Sequence, residues 1–276
     1  KIKKFKKINK KILIIGEPII DEYTYVKVSG KANKSSNISS EYLSKKNYGG
    51  GTILVSNFLV NFFKKVSYLV SADKKNMNLI KNKINKNIKL IKIQSKCKII
   101  RKNRYIEAYN NQKLFQNSVN ENLRFSQNEN KNILNFVKSS IKKYDIILFF
   151  DYGYTYSNIE LLKIIKKYKN KFVINCQSNS YNFGFNLASK YKSANILCMD
   201  ETEFRLCVSN KTENIYDLII SNKNKFKDIN LLIITLGKNG CYILKKSKLI
   251  KVPAIISGIV DSTGSGGLFF STFVYG

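Results

Sequence analysis

Short apolar runs recur along this chain with helix-like stretches of about 10–15 residues between them, and that rhythm limits the fold more than any single motif. The runs are KILIIGEPIID (11–21), VSYLVS (66–71), IKLIKIQ (88–94), DIILFFD (145–151), KFVINCQ (171–177), ANILCMD (194–200) and NLLIITLG (230–237). Continuous apolar character is what a strand buried on both faces requires. Helices are predicted between them at 51–65, 74–86, 129–144, 158–170 and 214–226. Strands alternating with helices give a mostly parallel sheet covered on both faces, an α/β architecture.

Two stretches break the rhythm, about 22–48 and 97–116. The first contains YTYVKVSG, which alternates as a half-exposed strand does. The second reads as a hairpin turning at Asn110–Asn111. Such β-rich excursions fit a lid over a site at the carboxyl ends of the parallel strands. A further hairpin is predicted across 241–253. No repeat or long linker divides the chain, so one domain is expected over 11–276.

Composition narrows the function classes. The 276 residues carry 49 Lys and Arg against 18 Asp and Glu, a formal charge of +31. The lysines run the whole length, mixed with Asn and Ile, and A/T-rich codons encode all three. The charge therefore reads as nucleotide bias more than as a nucleic-acid patch, and no helix-turn-helix or RNA-recognition signature accompanies it. The absence of histidine removes Ser–His and Cys–His nucleophile pairs and the common zinc sites. Five cysteines without a C-x-x-C, most of them in apolar stretches, fit reduced structural thiols of a cytoplasmic protein. No run approaches the ~18 consecutive apolar residues of a membrane helix. A first residue of Lys rather than Met points to an excerpt of a longer polypeptide, with 1–10 a basic leader or linker remnant.

Four places could carry chemistry. Gly16–Asp21, GEPIID, delivers acidic groups at a strand end, as a ligand contact or simply as solvation. Gly49-Gly50-Gly51, with Asn57 in the helix behind, lets a ligand approach the backbone closely or makes a flexible turn. Asp200-Glu201-Thr202-Glu203 follows an apolar strand. Its carboxylates could organise a hydrated Mg²⁺ or cap a helix. Last, DSTGSGG (261–267) runs into an apolar helix, LFFSTFVYG, and a glycine turn at a helix start can hold an anion on backbone N–H groups.

Taken in order, GEPIIDEY, YGGGTILVSN, LFFDYGY, MDETEF, TLGKNG and DSTGSGG resemble the motifs of the ribokinase-like (PfkB) carbohydrate kinases, over about 11–276. The likeness is strongest to the heptose-7-phosphate kinase domains of bifunctional heptose kinase/nucleotidyltransferase proteins. The resemblance implies a three-layer αβα fold with a small β lid, a truncated C-terminus, ATP and Mg²⁺ as cofactors, and a sugar or sugar-phosphate substrate. It also implies a fused nucleotidyltransferase, and the exposed edges of a β lid invite pairing into a homodimer. It assigns Asp21, Gly50, Gly51 and Asn57 to the sugar hydroxyls, and Lys102 and Arg104 of the Lys102-Asn103-Arg104 triplet to a substrate phosphate. Asp200, Glu203, Thr235, Gly237, Gly240 and Asp261 fall to the nucleotide, with Glu203 reaching Mg²⁺ through water. Gly264, Ser265 and Gly266 would form the anion hole. The family's last motif ends in an Asp that takes the proton from the attacking hydroxyl, and here that position is Gly267. Another acid such as Asp261, or a water, would have to replace it, or the domain binds without turning over. Glu17 also stands where the first motif has Asp, and Asn175-Cys176-Gln177 where the heptose kinases have Asp-Pro-Lys.

Overall fold

A computed structural model describes residues 6–120, 123–255 and 264–276. In chain order the elements are β1 (Ile8–Gly16), β2 (Pro18–Lys31), β3 (Ile38–Gly51), α1 (Thr52–Leu59), β4 (Phe63–Ala72), α2 (Lys74–Lys83), β5 (Ile88–Gln94), β6 (Ile100–Glu107) and β7 (Lys113–Val119). There follow α3 (Gln127–Ser140), β8 (Ile146–Asp151), α4 (Ile159–Lys167), β9 (Phe172–Cys176), β10 (Ala194–Asp200), α5 (Glu201–Val208), α6 (Ile215–Asn222), β11 (Ile229–Thr235), β12 (Cys241–Lys245), β13 (Lys248–Val252) and α7 (Ser265–Tyr275).

The predicted sheet forms, with nine strands in the order β13-β12-β11-β10-β9-β8-β1-β4-β5. Strands β5 to β11 in that order pair in parallel, and the β12–β13 hairpin adds an antiparallel edge. Its apolar runs divide by parity between two cores. Leu13, Ile15, Leu69, Ile147 and Phe149 face one, while Ile12, Ile14, Tyr68, Val70, Leu148 and Phe150 face the other. This two-sided burial is why the runs are continuous.

The two β-rich interruptions meet in a second sheet of four strands, β3-β2-β6-β7. The run read as one strand over 11–21 is two. Gly16, at φ +149°, turns the chain out of β1, and β2 starts at Pro18 in the other sheet. A Cβ at Gly16 would lie 2.3 Å from the Phe150 carbonyl oxygen, so the break needs glycine. Hydrophobicity is the same on both sides of this joint, which hides it from pattern reading. The exposed strand β3 escapes the same reading, because most of its residues are solvent-facing on both sides. Helix α1 ends at Leu59, short of the predicted 65, since Phe62 and Phe63 belong to the next strand's approach and are buried there.

Candidate functional site

The strand order reverses between β1 and β8, and open α/β sheets hold ligands at the carboxyl ends of strands flanking such a point. A cavity of about 130 Å³ lies there, lined by Ile19 and Asp21 from β2, Gly51, Leu54 and Val55 at α1, and Lys102 and Arg104 from β6. Tyr152 after β8, Gln177–Asn179 after β9, and Gly264 and Gly267 at α7 complete it.

One wall is built around Asp21. Register places Lys102 beside Asp21 and Arg104 beside Tyr23, two residues on, so alternate residues of two parallel strands share one face. Arg104 Nη1 donates to Asp21 Oδ1, and the guanidinium sits 5.4 Å from the Tyr23 ring centre. Both partners are largely buried. Burial pulls the Lys102 ammonium below the usual lysine range, the Asp21 carboxylate pulls it back up, and Arg104 pushes it down again. A Cβ on Gly50 would stand 2.0 Å from Asp21 Oδ2, so the carboxylate packs against bare backbone.

The opposite wall is made of helix starts. Helices α2, α3, α4, α5 and α6 each begin with a side chain accepting a first-turn N–H. Helices α1 and α7 begin at Gly51 and Gly264 without a side-chain cap, and both of these glycines line the cavity. First-turn amides have no intrahelical acceptor and carry the positive end of the helix dipole, so two such termini meet at one cleft, although Thr52 N–H at the α1 start already donates to the Glu17 carbonyl at 3.3 Å. Gly264 is left-handed at φ +80°, which turns the chain into α7. Among the described residues, a Cβ on buried Gly267 would meet Val55 Cγ2 at 3.3 Å, a tight contact that Val55 must yield to by a few tenths of an ångström. Among the described lining residues Asp21 is the only carboxylate, and it is paired with Arg104. Asp261 lies outside the described residues.

The remaining predicted residues separate. Asn57 does not line the cavity. Its Nδ2 donates to the Lys83 carbonyl (2.8 Å) and its Oδ1 accepts from Asn85 N–H (2.8 Å), so it ties α1 to the end of α2. Its side-chain amide is thus engaged away from the cavity wall that carries Asp21 and Gly51. Asp200 and Glu203 form a capping box on α5: Asp200 Oδ1 accepts from Glu203 N–H (2.8 Å) and Glu203 Oε2 from Asp200 N–H (2.6 Å). Glu203 Oε1 also accepts from Ser178 N–H in the cavity wall at 2.6 Å. Burial, helped by the Asp200 charge, pushes the Glu203 carboxyl up to about 7 against the pull of these N–H groups. Both Glu203 oxygens are thus taken by backbone, whereas Asp200 is exposed. Thr235 pairs in register with Asp200 at the strand ends, Gly237 has open space around its Cα, and Gly240 packs against Val252 in the turn into β12. None of these three lines the cavity.

Sequence reasoning missed what Glu17 does. Its buried carboxylate accepts N–H bonds from Tyr152 (3.2 Å), Tyr154 (3.1 Å), Thr155 (2.9 Å) and Tyr156 (3.4 Å), fixing the loop that carries Tyr152 into the cavity. Burial raises its pKa, as does nearby Asp151, while the amides lower it. Its place between two apolar runs was the available signal, since a charge there is buried only with partners. At the departure 175–177, Asn175 is buried and Gln177 Nε2 donates to its Oδ1 at 2.5 Å, so this segment braces the cavity floor.

The likeness to known proteins follows the same lines. Solved structures share the fold: phosphofructokinase-2 from Escherichia coli in complex with substrates and products superposes with a TM-score of 0.71 at 10% identity, covering 96% of this chain and 85% of that one. Ribokinase from Arabidopsis thaliana complexed with ribose and ATP gives 0.68 at 14% identity, covering 97% and 86%. Among curated proteins, the bifunctional protein HldE of Helicobacter pylori strain G27 is 24% identical over 271 residues, 93% of this chain and 56% of its own length. HldE of Nitratiruptor is 22% identical over 269 residues, 96% and 56%. The chain thus spans about half the length of the curated relatives it matches. The family model of pfkB carbohydrate kinases matches residues 9–276, and the chain belongs to the pfkB family of carbohydrate kinases.

Proposed function

We propose that this domain takes a phosphorylated, heptose-like sugar and ATP into the cavity and moves the γ-phosphoryl group to a sugar hydroxyl, slowly, because the base position is glycine. The observation that carries this reading is the joining in one cavity of the Asp21–Arg104–Lys102 wall with two uncapped helix starts. Asp21 accepts from sugar hydroxyls, and Arg104 and Lys102 neutralise a substrate phosphate. The α1 and α7 amides supply fixed positive dipoles where charge spreads over the transferring group, which is the larger part of phosphoryl-transfer catalysis. The small sheet closes over the sugar as a lid.

ATP supplies the phosphoryl group and Mg²⁺ offsets its charge. Asp200 fits a contact to the hydrated ion, since Mg²⁺ keeps most of its waters and needs few carboxylates. Glu203, with both oxygens held by N–H groups, fits only as support for Asp200 and Ser178.

Gly267 specifically favours a second reading, a module that binds sugar and nucleotide without turnover. The test is ATP-to-ADP turnover over a panel of sugars and sugar phosphates, for the natural chain and Gly267→Asp. Slow turnover by the natural chain and faster turnover by the variant support the kinase reading. A silent natural chain rescued by the variant supports the binding module. Rapid turnover by the natural chain overturns the base assignment.

A further inference from the structure

A second recess, of about 510 Å³, lies at the amino ends of the strands, away from the cavity, and is lined by Lys11, Lys64, Lys65, Lys89 and Lys143 with Ser67 and Tyr144 among its other walls. Register explains the crowding. Lys11 pairs with Lys65 across β1 and β4, and Ser67, two residues beyond Lys65, pairs with Lys89 across β4 and β5. Alternation puts Lys11, Lys65, Ser67 and Lys89 on one face of three adjacent strands, with neighbouring strands about 4.8 Å apart. Like charges so placed oppose folding. None of the five lysines forms an ion pair among the described residues. The nearby carboxylate, Asp145, is exposed and accepts from the Lys11 backbone N–H at 2.7 Å.

We propose that this recess binds a small oligophosphate, free or carried on a metabolite, distinct from any ligand of the cavity. Its size suits a small molecule, ammonium groups are effective phosphate ligands as point charges, and five lysines line it, with Asp145 the nearby carboxylate. The proposal does not rest on the kinase reading.

Because the whole chain is basic, the experiment must separate a site from diffuse attraction. Inorganic tripolyphosphate is titrated calorimetrically into the natural chain, into Lys65→Gln/Lys89→Gln, and into Lys225→Gln/Lys227→Gln, which loses the same charge elsewhere. Kd should rise by roughly tenfold or more in the recess variant and by less than about twofold in the control. Repeating the series with ADP shows whether a nucleoside adds to phosphate recognition, and a loss specific to the recess variant with either probe supports the site. Equal losses in both variants, or no loss in the recess variant, overturn it. Melting in low salt gives a second readout. The recess variant should melt above the natural chain alone and below it with tripolyphosphate, and failure of that order to reverse overturns the proposal.

Discussion

The two walls of the cavity are built on opposite plans. On the small-sheet side the charges are tied to one another: Asp21 is held by Arg104, Arg104 lies over Tyr23, and Glu22 behind them bonds Lys45 at 2.7 Å and Arg101 at 3.2 Å. On the α7 side the described lining residues are Gly264 and Gly267, neither of which carries an ionised side chain. In the proposed role, a side-chain wall of this kind fits one ligand geometry and is sensitive to a single substitution. The backbone wall depends little on side chains, so the anion binding proposed for it would survive a gain or loss of chemistry at a single position.

The sharpest way to test that contrast is Gly267→Asp. A positioned base is worth about 10²–10⁴ in rate, so turnover should rise by that order, while the tight Val55 contact and burial of a carboxylate should cost about 1–3 kcal/mol of stability. Turnover assays and thermal melts check both halves. Next is Glu17→Ala, which strips the acceptor from buried amides beneath the cavity. It should destabilise the fold by about 3–5 kcal/mol in urea unfolding. Arg104→Gln attacks the side-chain wall directly and should weaken sugar-phosphate binding by about 10–100-fold in calorimetry, leaving nucleotide affinity near its natural value.

A pH series reaches the support behind the backbone wall. Glu203 is raised from about 4.5 to about 7 in the fold, so the folded chain holds more protons than the unfolded chain in that window. Its contribution is full below the lower value and is lost as pH climbs through 7. Buried Glu17 shifts in the same direction. Unfolding free energy should therefore fall by on the order of 1–3 kcal/mol between pH 5 and 8, and Glu203→Gln should flatten part of that slope. The smallest effect belongs to Asn57→Ala: a loss of about 1 kcal/mol with unchanged ligand Kd, since its bonds join α1 to the end of α2.

The large sheet was legible because burial on both faces forces unbroken apolar runs, as in Ile147–Phe150. Gly51 and Gly264 were legible as helix starts, whereas Asp21, read as a strand end, lies inside β2. What stayed hidden had local signals pointing elsewhere. Asn57 sits near the three glycines in sequence, but its side chain bonds the chain at 83–85. Glu17 reads as a solvated strand end, and only the return of β8 beside β1 brings the 152–156 amides to it. Lys65 and Lys89 are unremarkable in a lysine-rich chain until register sets them on one face.

The grip of Glu17 has a consequence for how such a domain can diversify. It holds the 152–156 loop by main-chain amides, which every residue except proline provides. The anchor itself therefore sets no side chain at 152 or 154, whereas Tyr156 is fixed separately by core burial and by Ser71 N–H donating to its hydroxyl. The carboxylate has no such latitude. Variation at 152 and 154 with constancy at position 17 is the pattern this arrangement permits, and proline is the newcomer the anchor excludes from 152 and 154–156.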